Sequence, residues 1–206
     1  MKIIKPYVEI LDRIDGRKIL KKIERCGRVC YKSEGKITEG SAEKFVANII
    51  KRGHESVLEH ISITMKFVVD RGVSHEIVRH RVASYSQEST RYCNYIKEDF
   101  GSEITVVELY FFEGTYAYIF WKGAMQMCET AYFELLNAGV KPEEARTVLP
   151  HSLKTEVVDT MNLRELRHFL KLRTASTAHP QMREVARPLL CTLKKKIPVV
   201  FDDITY

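Results

Sequence analysis

From Ile61 to Asp70, Ile61, Ile63, Met65, Phe67 and Val69 alternate with Ser62, Thr64, Lys66, Val68 and Asp70. A period of two puts the first set on one face, so the segment predicts a strand with one buried side. Most of the remaining periodicity is helical. After a short strand at Tyr7–Leu11, Ile19, Ile23 and the Cys26/Cys30 pair predict a helix over Asp15–Tyr31. Ser41 precedes a second helix through Lys51, with Phe45, Ile49 and Ile50 facing inward and Gly53 placed to stop it. Gly72 breaks the central strand, and Val73–Val82 reads as a short helix leading into the polar stretch Ser84–Asn94. A further strand is expected at Glu103–Leu109. The long helix Glu113–Asn137 carries Phe120, Ala124, Met127, Ala131 and Leu135 as its stripe, and Gly139 and Pro142 end it and start the next. Lys154–Thr160 predicts a strand. Asn162 with Glu165 resembles a capping box for a helix ending near Arg173, and a last helix, bent at Pro188, runs from about Gln181 to Lys196. The expected class is α+β: a small, mostly antiparallel sheet flanked by helices, in one domain over 1–206 with no repeat, low-complexity tract or linker.

Composition narrows this picture. With 45% hydrophobic and 29% charged residues in a 206-residue chain, a mainly disordered protein is excluded. No apolar run approaches the roughly 20 residues of a membrane span, and the first residues lack a secretory pattern, so a cytoplasmic protein is expected. Five cysteines without CxxC spacing predict reduced thiols rather than a disulfide scaffold. A net charge of +6 favours anionic partners, phosphate-bearing small molecules as well as nucleic acid.

The densest polar cluster is RHRVASYSQESTRY, Arg79 to Tyr92. Arginine offers a planar fork of donors and serine a short-range donor, a combination suited to a nucleotide. Arg79-His80-Arg81, then seven residues, then Ser89, followed by Arg91-Tyr92, resembles the signature of the flavin-dependent thymidylate synthases. GHESVLEH at Gly53–His60, ARTVLP from Ala145, Asn162-x-Arg164 and Leu172-Arg173 extend the resemblance over roughly three-quarters of the chain.

The resemblance implies a homotetramer with FAD at subunit junctions. It implies conversion of deoxyuridylate (dUMP) to thymidylate (dTMP) with 5,10-methylenetetrahydrofolate as carbon donor and NADPH as reductant, without a cysteine nucleophile. By the same resemblance, His54, Ser56, Arg79, His80, Arg81, Gln87, Asn162, Arg164 and His168 contact FAD. Glu76, Arg79, Gln87, Glu88, Ser89, Arg91, Arg146 and Arg173 fall to dUMP, with Arg173 catalytic near N3 of the pyrimidine. The chain departs from the common pattern at Ser86, Gln87 and Glu88, at Glu76, where glutamine is frequent, and at His168, where asparagine is.

Physical chemistry asks for the same residue types. Negative charge moving toward a ring carbonyl and N3 is stabilised by a fixed guanidinium more in the transition state than before it. Arg173 continues the Leu166/Leu170 stripe of its helix, where a cation needs an anionic or polar partner. Ser89 has no base at triad spacing and reads as a donor to substrate. Asn162 also suits a helix N-cap. Two other readings compete. A metal site built from His54, His60, His75 and His80 lacks HExxH spacing. A basic nucleotide- or RNA-binding module without catalysis, using Arg79 to Arg91 and Lys194 to Lys196, lacks an RRM, KH or zinc-knuckle signature. The expectation is an enzyme with small-molecule partners, no nucleic acid, no membrane and no metal.

Overall fold

The computed structural model describes residues 1–96 and 101–206. In chain order the elements are β1 (Lys2–Ile4), β2 (Tyr7–Ile10), α1 (Gly16–Val29), α2 (Ser41–Lys51), β3 (Ser62–Asp70), α3 (Arg71–Ile77), β4 (Ala83–Gln87), β5 (Thr105–Val107), α4 (Tyr116–Asn137), α5 (Pro142–Ala145), β6 (Lys154–Asn162), α6 (Leu163–Thr174), α7 (Pro180–Lys196) and α8 (Pro198–Phe201). The fold is α+β, with a largely antiparallel four-stranded sheet in the order β2-β3-β6-β4 and a separate parallel pair, β1 and β5. Contacts resolve into two interleaved compact units, 1–7, 67–79 and 86–158 in one, and 8–66, 80–85 and 159–206 in the other.

In the second unit α1 packs on α2, and α6 packs on α7 and on the 3-10 turn Glu55–His60. Ile23, Val46, Leu58, Leu166, Phe169, Leu170 and Leu189 are buried there. At about 25 cal/mol per Å² of apolar surface, such a core is the main favourable term of the fold. As expected, α7 carries Pro188 in its interior. Asp15 caps α1 through its side chain, and Gly40, at φ 77°, enters α2 in the left-handed region that suits glycine.

The first unit has its own core, with Ile104, Val106, Trp121, Met125, Tyr132 and Leu153. Three sequence expectations are corrected here. Along α4 the buried residues are Trp121, Met125 and Tyr132, whereas Phe120 and Met127, placed on the inward stripe above, are 64% and 75% exposed. Both faces of this helix are apolar, so periodicity could not choose between them; Trp121 settles the face, donating Nε1–H to Ser152 Oγ at 3.1 Å. Gly72 does not separate strand from helix. Asp70 caps α3 by accepting from the Val73 amide at 2.7 Å, and Gly72 lies within the helix, which ends at Ile77 rather than Val82. The polar stretch after it opens with a strand, β4, whose Ser84 and Ser86 are exposed while Ala83, Tyr85 and Gln87 are half-buried.

Candidate active site

The eight candidate residues of the second unit gather around α6. Asn162 caps the helix, its Oδ1 accepting from the Glu165 amide at 2.9 Å. The capping box stays half-made. The Glu165 carboxylate instead accepts from His80 Nδ1 at 2.9 Å, and Arg173 Nε donates to His80 Nε2 at 3.1 Å. Because a guanidinium N–H can only donate, Nε2 must be the accepting nitrogen, which places the imidazole proton on Nδ1, facing Glu165. Burial holds the His80 pKa below its ordinary value and Arg173 pushes the same way, while Glu165 opposes both. His80 is 5% exposed, and Phe169 meets its ring edge-on at 4.9 Å. Tyr85 donates its hydroxyl to the His80 carbonyl at 2.6 Å.

Around this chain lie two open cavities. One, of about 380 Å³, is lined by Glu55, Glu59, Asn162, Arg164, His168 and Lys171. The other, of about 340 Å³, is lined by Tyr31, Phe45, Gly53, His54, Ser56 and Arg164. Tyr31 Oη lies 3.2 Å from His54 Nδ1. Arg164 pairs with Glu59 at 2.7 Å. Arg81 is exposed.

The structure adds residues that the sequence did not single out. Arg167, 1% exposed, pairs through both terminal nitrogens with Asp203 at 2.7 Å. It also reaches Glu55 Oε1 at 3.1 and 3.3 Å and donates to the Val200 carbonyl. This buried fork ties the turn bearing His54 and Ser56 to the C-terminal segment. Asp159 is fully buried, with neither carboxylate oxygen hydrogen-bonded, and desolvation, with Glu165 adding to it, pushes its pKa up to about 7. Nothing in local spacing marks either residue, although a charged residue inside the apolar stripes of α6 and β6 is a usable signal.

In the first unit the chain places the other candidates. Ser89, half-buried, accepts from the Arg91 amide at 3.3 Å; the exposed Arg91 guanidinium lies 3.7 Å from Glu143. Arg146 NH1 donates to Thr90 at 3.4 Å, so the Ser89–Arg91 loop and Arg146 come together. Glu88 is engaged by Lys154 at 2.9 Å and by the Tyr95 hydroxyl at 3.0 Å. Gln87 donates to Ser74 at 3.0 Å and Thr155 at 3.3 Å. Glu76 is half-buried on α3, and Arg79 just after it is exposed.

Among the described residues, His80, Glu165 and His168 bring potential metal-binding atoms within 4.8 Å. Both ring nitrogens of His80 are already paired, one with Glu165 and the other with the Arg173 cation, so His80 and Glu165 belong to a hydrogen-bonded chain that ends on Arg173, with His168 beside the ring.

The profile of the family described as "Thymidylate synthase complementing protein" matches residues 14–199. The chain belongs to the flavin-dependent thymidylate synthase family. It is 38% identical over 189 residues to the flavin-dependent thymidylate synthase of Geobacter sulfurreducens, covering 85% of this chain and 78% of that one. It is 39% identical over 170 residues to that of Pyrococcus furiosus, at 82% and 67%, and 37% identical over 191 residues to that of Sulfurisphaera tokodaii, at 91% and 72%. The matched span contains both motif groups of the flavin-dependent thymidylate synthases, the RHR segment with Ser89 and the α6 segment with Arg173. No helix among the described residues is long and apolar enough to cross a membrane.

Proposed function

We propose that this family member converts dUMP to dTMP with 5,10-methylenetetrahydrofolate as carbon donor and NADPH as reductant, its FAD held by the second unit's residues. The donor set fits such a group. Arg164, Lys171, Asn162, His168 and Ser56 line the two cavities, and Arg164 lines both. Two of the acids beside them are ion-paired within the unit, Glu59 with Arg164 and Glu55 with Arg167, and Glu165 is engaged by a hydrogen bond from His80. The lining therefore suits a polar, phosphate-bearing dinucleotide. Bound FAD supplies the redox chemistry.

This chain's residues do the rest. Arg81 and Arg164 offer charge to the pyrophosphate side, and His54 with Tyr31 forms an aromatic edge against which a planar ring stacks. Ser89, Arg91 and Arg146 hold the monophosphate end of dUMP by charge-assisted hydrogen bonds, with Arg79 beside them in sequence. Gln87 and Glu88 act on that nucleotide through the positions of their strand and loop, and Glu76 from α3 borders the same group. Arg173 stabilises negative charge on the pyrimidine as its ring is attacked. The supporting observation is the Arg173 to His80 contact, which joins the two motif groups by a hydrogen bond.

The working assembly is a homotetramer. Tyr116, Ile119, Phe120 and Met127 on α4 form an exposed apolar face of the kind that oligomers bury. The test is release of tritium from 5-³H-dUMP by the purified yellow protein, with light scattering to give its mass. Tritium release that requires both folate and NADPH supports the reading; a colourless protein that releases none contradicts it.

A further inference from the structure

We infer that Glu165, acting through the imidazole of His80, positions the guanidinium of Arg173, a role that rests on the reading of Arg173 given above. Arg173 sits in the last turn of α6, and arginine keeps several rotatable bonds unless something holds its head. One contact that holds it is His80 Nε2, 3.1 Å from Nε. The imidazole is itself fixed from three sides. Glu165 takes its Nδ1 proton at 2.9 Å, Phe169 packs against the ring, and Tyr85 clamps the residue's carbonyl. Glu165 is anchored in turn in the first turn of α6, its amide donating to Asn162 and its charge complementing the positive helix end. Carboxylate, neutral ring and guanidinium therefore form one directed chain between the two ends of a single helix.

The polarity of that chain matters. Were His80 to carry its proton on Nε2, the ring would present a donor to a donor and the contact with Arg173 would be lost. Among the described residues the charged and titratable groups that act on the ring are Glu165, His168 and Arg173 on α6; Tyr85 on β4 bonds the His80 carbonyl, and Asp159 on β6 acts on Tyr85 and Glu165. Among the described residues Glu165 is the acceptor that Nδ1 meets, so it selects the tautomer that Arg173 requires. His80, which lies in the RHR motif, thus works inward, on the arginine.

The test uses the FAD-loaded enzyme with ¹⁵N-labelled histidine. The expected His80 spectrum shows a protonated Nδ1 and a bare Nε2 at neutral pH; a protonated Nε2 overturns the inference without any variant being made. Single-turnover flavin oxidation by dUMP and methylenetetrahydrofolate is then followed in Glu165→Met and Glu165→Gln. A loss on the order of 100-fold is expected in the methionine variant, the cost of a misplaced catalytic group. The glutamine variant, whose amide oxygen still accepts from Nδ1, recovers to within about tenfold of the parent. The assay is run at full FAD occupancy and saturating dUMP, so that the loss reads turnover, and rescue by the glutamine variant is what a purely structural role would not give. If Arg173→Ala is slow while Glu165→Met retains the parent rate, this inference fails and the role of Arg173 stands. If Arg173→Ala is itself unimpaired, the role of Arg173 fails.

Discussion

The two motif-bearing regions are built on opposite principles. Around α6, His80 and Arg167 are buried, and Glu165, Arg173, Glu55 and Asp203 meet them inside the unit at 2.7 to 3.3 Å. In the Ser89 to Arg91 loop the cation is exposed and its nearest acid stands 3.7 Å away. A desolvated pair is costly to break, because one charge is left alone in low dielectric. An exposed pair contributes 0 to about 1 kcal/mol and is screened by salt. The first region therefore holds a geometry set before any ligand arrives, and under the proposed function the second captures an anion by charge.

Substitutions break this comparison in order of size. Arg167→Ala leaves Glu55 and Asp203 without their shared cation, and a loss of about 3–5 kcal/mol is expected in urea unfolding, with weakened FAD retention from the displaced His54 turn. Unchanged stability would show that the fork is incidental. Next comes Asp159. Its folded pKa of about 7 lies above the ordinary aspartate value of 3.8, so the folded state keeps a proton that the unfolded state gives up. Its contribution is full below about pH 4 and erodes as pH rises to 7, amounting to a few kcal/mol at the order-of-magnitude level. Asp159→Asn is expected to remove this slope, gaining over the parent at pH 8 but not at pH 4.5; parallel pH profiles would contradict the assignment.

In the loop the effects are smaller. Arg91→Gln is expected to weaken dUMP binding by roughly tenfold, about the contribution of one charge-assisted bond, and to flatten its salt dependence. Titration calorimetry at two salt concentrations checks both. For Ser89→Ala a loss near 1 kcal/mol in affinity with residual turnover is expected; turnover abolished under saturating dUMP would restore a nucleophilic role.

Legibility in the sequence followed the physics of each element. Arg173 was readable because it continues the Leu166 and Leu170 stripe, and both leucines are fully buried. Most helices and the strands β3 and β6 were readable from their periods, but β3 alternates only up to Phe67, after which Val68, Val69 and Asp70 are all buried. β4 was hidden because its serines and glutamine carry no β propensity. On α4 the two apolar faces were indistinguishable without knowing that Trp121 has a partner in Ser152. Glu165 was legible as a capping partner, yet its side chain serves His80, 85 residues away in sequence, and no local rule reaches that far. The absence of a linker has a plain cause as well: each unit is assembled from three separate stretches of the chain.

Rapid mixing of FAD-loaded Arg173→Ala with saturating dUMP and methylenetetrahydrofolate measures most directly whether this guanidinium carries the reaction. A fall of roughly 10²–10³-fold in flavin oxidation, the size expected for removing one preorganised charge-stabilising donor, is predicted with FAD content intact. A rate equal to that of the parent enzyme would contradict it.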